Sequence, residues 1–345
     1  MIKSKIDENL GKSPLKRPKA LVLLSGGLDS LLATRIILDH NVDVEAVHFI
    51  TPFCRCDCSS LGDFINKFNI KLHTIFLGQE YLDVVANPKH GYGSQMNPCL
   101  DCRILMFRKA WELAKKIDAD FLVTGEVLDE RPFSQRLKNM LLIEREAGLE
   151  GKILRPLSAK LLPISEPEKR GWVDRKKLFA IRGRRRLPQM ELAKKFGIEN
   201  YPTPSGGCLL TDPAFARRVR EHLEHEGRLT IDDAILLMIG RHFRVDGIKI
   251  IVGRNEEENN RLLAIAERRK IPNLKVKEYM GPITLLIGGN CNNVNKVVKM
   301  AAAITVRYSD APKSIPVNVI YRCGEREIEI TAKAISDEEI EKLRV

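Results

Sequence analysis

The sequence predicts an α/β protein: a doubly wound parallel sheet in the first part of the chain, followed by a smaller α+β domain. Three observations carry that prediction. Short apolar runs alternate with stretches of helical periodicity between residues 20 and 125, the pattern of successive βαβ units. Ala20-Leu21-Val22-Leu23-Leu24 is apolar throughout and too short for a lone helix, as a strand buried on both faces must be. After a boundary near residues 240–247 a fresh set of strand and helix patterns begins, and the roughly 100 residues that remain suffice for an independent domain.

Taken in order, residues 1–17 are polar and lysine-bearing and are expected to fray. The strand at 20–24 runs through Ser25-Gly26-Gly27-Leu28-Asp29-Ser30 directly into a helix, because apolar side chains recur at helical spacing after Asp29. A second strand is expected at 43–50, a helix at 61–68 and a third strand at 71–77. A Gly/Pro-rich loop, 87–98, precedes a helix at 99–117 and a fourth strand at 120–125. Within that loop Gly91-Tyr92-Gly93-Ser94 lacks the third glycine and the preceding strand of a dinucleotide site. Helical segments follow at 189–196 and 213–225. The last unit is expected to hold strands at 248–252 and 283–287, helices at 256–269 and 293–304, and two closing strands at 317–322 and 327–331. The expected divisions are 1–17, 18–150, a basic helical region 151–240, and 241–345.

The chain has 345 residues, with 57 Lys and Arg against 45 Asp and Glu, a net charge of +12. That balance points to a polyanionic partner. No apolar run approaches the ~20 residues that span a bilayer, and the N-terminus lacks a signal-like apolar core, so a cytoplasmic protein without membrane contact is expected. Between residues 152 and 186 there are 12 Lys and Arg against three acids. Lys176, Lys177, Arg182, Arg184, Arg185 and Arg186 are the candidate phosphate contacts of an RNA track, with Trp172 and Phe179 interleaved as stacking surfaces.

The turn at 25–30 has the composition of an anion cradle. Two glycines allow close approach of backbone amides, and hydroxyls and a carboxylate surround a helix N-terminus whose N–H groups and dipole favour phosphate. No Lys follows at the spacing of a Walker loop. The stretch resembles the Ser-Gly-Gly-x-Asp-Ser loop of the PP-loop ATP pyrophosphatases, which implies an adenine nucleotide alpha hydrolase-like domain. It also implies ATP, with Mg²⁺ neutralising the phosphates, held by Ser25, Gly26, Gly27, Asp29, Ser30 and Gly125, with Asp29 catalytic. Gly125 ends the fourth strand, and ligands of such sheets sit at carboxyl ends of strands. Glu126, Arg131, Ser134 and Gln135, which follow it, are further polar candidates.

Eight cysteines in a chain expected to be cytoplasmic argue for metal or thiol chemistry over a disulfide framework. Cys99-Leu100-Asp101-Cys102 opens a helix, which puts two thiols on one turn. Asn97-Pro98-Cys99-Leu100-Asp101-Cys102, Ala119-Asp120-Phe121-Leu122-Val123-Thr124-Gly125 and Gly206-Gly207-Cys208-Leu209-Leu210-Thr211-Asp212, in that order after the loop, resemble the tRNA 2-thiouridylase family over roughly residues 18–215. The resemblance implies that Cys102 and Cys208 carry sulfur, one as a persulfide and the other resolving it. Cys99 stands where that family usually has Asp, so three thiols are present. Cys99, Cys102 and Cys208 are then similar to the ligands of iron–sulfur-dependent tRNA thiolases, in which a [4Fe-4S] cluster keeps one iron open. The cluster is preferred to a bare persulfide pair, with a structural Zn²⁺ as the third alternative. Cys54, Cys56 and Cys58 could relay sulfur, hold a second metal or be incidental, and Cys291 and Cys323 are expected to be structural.

In the last unit, Ile250-Ile251-Val252-Gly253-Arg254-Asn255-Glu256-Glu257-Glu258-Asn259 and Val306-Arg307-Tyr308-Ser309 resemble an NFACT-R type RNA-binding domain. Arg254, Lys275, Lys277, Lys296, Lys299 and Arg307 are its candidate phosphate contacts. Together these resemblances imply ATP-dependent thiolation of a tRNA nucleobase, with a uridine as the expected target. The partners expected are tRNA and a sulfur donor, either sulfide or a persulfide carrier protein, and a homodimer remains open. A PP-loop amide-forming ligase and a non-catalytic RNA-binding protein with a structural zinc are the alternatives.

Overall fold

In the computed structural model, residues 16–54, 59–201, 208–289 and 296–345 are described. In chain order the elements are β1 Lys19–Leu23, α1 Leu28–Leu38, β2 Asp43–Ile50, α2 Ser59–Phe68, β3 Lys71–Phe76, α3 Gln79–Ala86, α4 Cys99–Lys116, β4 Phe121–Thr124, α5 Leu137–Ala147 and β5 Ile153–Leu154. There follow α6 Glu166–Lys169, α7 Leu187–Phe196, α8 Pro213–Glu226, α9 Ile231–Leu237, β6 Arg241–Val245, β7 Ile248–Val252 and α10 Glu256–Arg269. The chain closes with β8 Asn273–Val276, β9 Thr284–Ile287, α11 Lys296–Arg307, β10 Val317–Cys323, β11 Arg326–Ala332 and α12 Asp337–Leu343. Two compact units emerge: residues 1–77, 88–93 and 98–207 form one, and residues 78–87, 94–97 and 208–345 the other. No helix among the described residues is long and apolar enough to cross a membrane.

The first unit holds a five-stranded, all-parallel sheet in the order β3-β2-β1-β4-β5. Its central strand is apolar on both sides because both faces are covered. Ala20, Val22 and Leu24 join α1 and α7 in one core, whereas Leu21 and Leu23 pack with Leu100, Ile104 and Phe107 of α4 in the other. β4 repeats the alternation, with Phe121 and Val123 on the first face and Leu122 on the second. The chain leaves β1 towards β2 and β3, then returns to the other side of β1 for β4 and β5. That reversal makes the gap beyond the carboxyl ends of β1 and β4 the place where such sheets bind ligands.

The second unit is built on a six-stranded antiparallel sheet, β11-β10-β8-β9-β7-β6. Its strands also alternate. Ile250 and Leu286 face the α11 core with Val298, Ala301 and Ala302, while Ile251 and Leu285 face Leu262 and Ala266 of α10. β6 and β8 extend the set of strands expected from the sequence, and α12 is a further helix, capped by Ser336 and Glu339. The fold class expected from the sequence, a doubly wound parallel sheet plus a separate smaller α+β domain, is the one observed.

Candidate functional site

The cradle forms where β1 hands over to α1. Gly26 has φ of +84°, a left-handed conformation that a side chain would strain. Gly27 is the N-cap of α1 and brings no capping side chain; Ser30 N already donates to Gly27 O at 3.0 Å, which leaves the Leu28 and Asp29 amides for a ligand. Ser25 Oγ lies 3.3 Å from Ser30 Oγ, and the Ser30 hydroxyl donates to Gly27 O at 2.7 Å, which fixes the loop from inside. Ser25 is exposed while Ser30 is buried. Gly125 follows β4 and packs directly beneath this loop: a Cβ there would sit 2.4 Å from Asp29 C and 2.5 Å from Asp29 O and Ser30 N. Five of the six residues expected to hold ATP are thus the loop itself, and the sixth is the surface that the loop rests on.

Around Asp29 the first unit gathers further charge. Burial pushes the Asp29 carboxyl above its ordinary range, against the pull of Arg186, the Gln189 amide and Arg131. Glu130 is pushed up to about 7 by burial and by the nearby Asp29 charge, against Arg131 and Arg186. Gln189 is wholly buried on α7, which packs on α1. Its amide faces Asp29, yet neither Nε2 nor Oε1 completes a hydrogen bond of good geometry; Asp29 Oδ1 and Arg186 Nε are buried without one as well.

The loop that carries Glu130 and Arg131 is rigidly held. Gln135 Oε1 accepts from Arg131 N at 2.9 Å, Ser158 Oγ accepts from Leu128 N at 2.9 Å, and Leu128 O accepts from Gly183 N at 2.7 Å. Gln135 therefore braces the loop. Glu126 is buried in an ion pair with Arg155 Nε at 3.0 Å, and Arg155 also pairs with Glu144. Glu130, Gln189 and the inward role of Arg186 were not among the residues singled out for this site by the sequence. Glu130 sits in Asp129-Glu130-Arg131-Pro132, a charged stretch that reads as solvated loop.

Cys99 and Cys102 lie on the first turn of α4, half-buried and outside any disulfide. Their i, i+3 spacing puts both thiols on one face. Asp101 between them is buried and accepts from His90 N at 2.9 Å and faces His90 Nδ1 at 2.8 Å, so the turn is tied to the preceding loop. Cys208 belongs to the second unit, also half-buried and outside any disulfide, at the start of the short turn Leu209–Thr211. Its Sγ lies 3.6 Å from the Tyr81 hydroxyl, and Leu210 O accepts from Met96 N at 3.1 Å. Among the described residues no three His, Cys, Asp or Glu side chains are grouped to hold a metal ion. Cys54 and Cys323 are in disulfides, contrary to the expectation from cysteine usage. That expectation rests on the surroundings of the protein and cannot see which sulfurs a fold brings together. Cys56, Cys58 and Cys291 lie outside the described residues.

Comparison with known proteins bears on both units. Residues 16–160 match the family model described as thiamine biosynthesis protein (ThiI), a segment that contains the cradle, Gly125, Cys99 and Cys102. Residues 16–160 are thus similar to a ThiI-type domain. Residues 240–344 match the NFACT protein RNA binding domain. The chain is similar to a tRNA-specific 2-thiouridylase of Marinomonas sp., 25% identical over 221 residues that are 60% of this chain and 52% of that protein. It is also similar to a tRNA sulfurtransferase of Desulfurococcus amylolyticus, 25% identical over 146 residues, 40% of this chain and 29% of that one. The chain thus spans about half the length, or less, of these curated relatives. Among solved structures, a 4-thiouridine synthetase–RNA complex with bound ATP aligns at a TM-score of 0.37 and 21% identity, covering 64% of this chain and 52% of that one.

The basic run, residues 152–186, which begins inside the segment matched to the ThiI family and continues past it, divides between interior and surface. Arg155 is buried, Arg175 pairs with Glu168 at 2.6 Å, and Lys152 lies over the Trp111 ring. Lys176, Lys177, Arg182, Arg184 and Arg185 are exposed, with Arg182 paired to Asp129 at 2.7 Å, while Arg186 turns towards Asp29 and Glu130. The interleaved aromatics are not open stacking surfaces. Trp172 stacks on Phe121 at 6.1 Å, and both Trp172 and Phe179 pack on the core, since burying their apolar rings stabilises more than leaving them in water. In the NFACT-type domain Arg254, Lys277, Arg307 and Lys296 are each ion-paired, to Glu258, Glu329, Asp337 and Asp246. Lys275 and Lys299 are exposed.

Proposed function

We propose that this chain is an ATP-dependent tRNA thiolase. The observation that carries the reading is the union, in one ThiI-type domain, of an open-amide cradle at the sheet's switch point with a pair of thiols one helical turn apart. ATP binds with its phosphates against the α1 amides, Ser25 and Ser30, and Mg²⁺ offsets their charge beside Asp29. A nucleobase carbonyl oxygen, on a uridine flipped from its stack, attacks the α-phosphorus and pyrophosphate leaves, which makes that oxygen part of an AMP leaving group. Sulfur then attacks the same carbon and AMP departs. Cys99, Cys102 and Cys208 are the sulfur-handling set. As three thiolates they have the donor chemistry of a [4Fe-4S] cluster with one open iron, which would hold the sulfide to be transferred. Without a cluster, the outer sulfur of a persulfide on Cys102 or Cys208 attacks, and a second cysteine thiol cleaves the S–S bond, so that the thiocarbonyl stays on the base and the protein disulfide formed is reopened by an external thiol reductant. The relatives' names and the NFACT-type RNA-binding match support tRNA as the substrate, and the exposed Lys176, Lys177, Arg182, Arg184 and Arg185 are its proposed track.

The test is reconstitution: anaerobically purified protein, tRNA and ATP with, in separate reactions, sulfide or a persulfide-loaded carrier protein plus a thiol reductant, read for pyrophosphate release and for thionucleoside by retarded migration on a mercury gel. An amide-forming ligase would keep its activity in the Cys99→Ser, Cys102→Ser and Cys208→Ser variants. A non-catalytic RNA binder would release no pyrophosphate. Iron and sulfide quantitation separates the cluster from a persulfide pair, and one equivalent of zinc without iron would eliminate the cluster.

A further inference from the structure

Three arginines in a row, Arg184, Arg185 and Arg186, are chemically alike in the sequence and are set apart by the fold. Arg184 and Arg185 are exposed, whereas Arg186 is the N-cap of α7 with its Nε buried and unpartnered. Three residues on, Gln189 is 0% exposed, and its amide faces Asp29 without either polar atom completing a hydrogen bond of good geometry. The carboxylate they face, Asp29, has a buried oxygen in the same condition. Buried side-chain polar atoms are satisfied in the large majority of cases, so three without a well-formed bond beside one carboxylate, on Arg186 and Gln189, are the signature of a site that awaits a polar ligand.

The charges identify its class. Asp29 and Glu130 would repel a polyphosphate, and Arg131 and Arg186 are the cations that oppose them in the same cluster. A guanidinium suits phosphate because it offers several donors in one plane, and a primary amide beside it can donate to a phosphate oxygen while accepting from a backbone N–H. Both residues lie beyond the 16–160 segment matched to the family.

We propose that Arg186 and Gln189, at the start of α7, belong to the nucleotide's phosphate site rather than to the RNA track, with Arg186 neutralising the phosphates that leave as pyrophosphate. The inference rests on the thiolase reading for the identity of the nucleotide. α7 thereby becomes a second wall of the cradle, opposite the α1 amides, and the basic run splits into an inward residue for the small substrate and outward residues for the large one.

The experiment measures, on the full chain, the affinities for a non-hydrolysable ATP analogue with Mg²⁺, for inorganic pyrophosphate and for a tRNA transcript. Arg186→Gln is expected to weaken both phosphate ligands by roughly tenfold or more, the effect of losing one charge-assisted contact, with tRNA affinity within about twofold of wild type. Arg186→Lys, which keeps the charge and guards against a folding artefact, is expected to fall in between. Arg184→Gln/Arg185→Gln is expected to do the reverse, weakening tRNA and lowering the salt slope by roughly one unit per arginine while sparing the nucleotide. If Arg186→Gln instead follows Arg184→Gln/Arg185→Gln, with lost tRNA affinity and intact nucleotide affinity, the inference is overturned and the thiolase reading stands. If the wild-type chain binds neither the ATP analogue nor pyrophosphate, the thiolase reading itself fails and takes the inference with it.

Discussion

Gly125→Ala isolates the contact between the sheet and the cradle. An alanine Cβ would lie 2.4 Å from Asp29 C and 2.5 Å from Asp29 O and Ser30 N, all backbone atoms that no rotamer change can move. To reach the 3.4 Å of ordinary contact the start of α1 must retreat by about 1 Å. Overpacking of that kind costs about 1–3 kcal/mol. For a unit of this size the melting temperature should fall by roughly 2–12 °C. The functional effect is larger than the stability effect, because a shift of ~1 Å in a positioning group costs on the order of 100-fold in rate. Differential scanning fluorimetry reads the first quantity and pyrophosphate release per unit of folded protein reads the second. Gly27→Ala is the control for the melting temperature alone, since its Cβ would meet only Ser25 Oγ at 3.6 Å. Wild-type melting together with wild-type turnover in Gly125→Ala would show that α1 does not rest on β4 in this way.

Arg155→Met leaves Glu144 buried without its cation and Glu126 with only Arg103 at 3.4 Å, and should cost about 3–5 kcal/mol in urea unfolding, with recovery when both acids are also changed to Gln. Glu130, pushed up to about 7 in the folded chain against 4.5 for an ordinary Glu carboxyl, binds more protons folded than unfolded between those values. Its contribution to stability is therefore undiminished below about pH 4.5 and is lost as pH rises towards and through 7, so Glu130→Gln should flatten the melting temperature between pH 5 and 8 relative to wild type. Cys99→Ser, Cys102→Ser and Cys208→Ser should each abolish thionucleoside formation while ATP binding persists; retained thiolation in all three would remove sulfur from the proposed chemistry. Arg182→Ala, which frees Asp129 and removes an exposed cation, should weaken tRNA and leave the nucleotide untouched.

What the sequence made legible was local. Ser25 to Ser30 announces itself because a left-handed Gly26, an uncapped Gly27 and two bracing hydroxyls are adjacent in the chain, and the Cys99-Cys102 pair does so because one helical turn sets its geometry. Gly125 was legible as a strand end, though its steric role depends on β1 and β4 being neighbours. The Glu130–Arg186–Gln189 cluster draws on three segments joined only by tertiary contacts, and nothing in Arg184-Arg185-Arg186 says which guanidinium turns inward. Trp172 misled for the same reason: an aromatic among cations reads as a stacking platform until Phe121 is found beneath it. β8, four residues long with Lys275 in its middle, is too short and too mixed to stand out.

The α3 segment, residues 79–86, is translated long before most of the unit it helps to build. Tyr81 meets Cys208, Gln79 Nε2 donates to Leu229 O at 2.8 Å, and Met96 N reaches Leu210 O, so early parts of the polypeptide must wait on the ribosome for partners made more than a hundred residues later. The stretch 208–229 therefore completes these contacts only with residues made much earlier, and a fragment started at Cys208 would lack them. Any dissection of this polypeptide by truncation has to graft those early pieces back before its parts are compared.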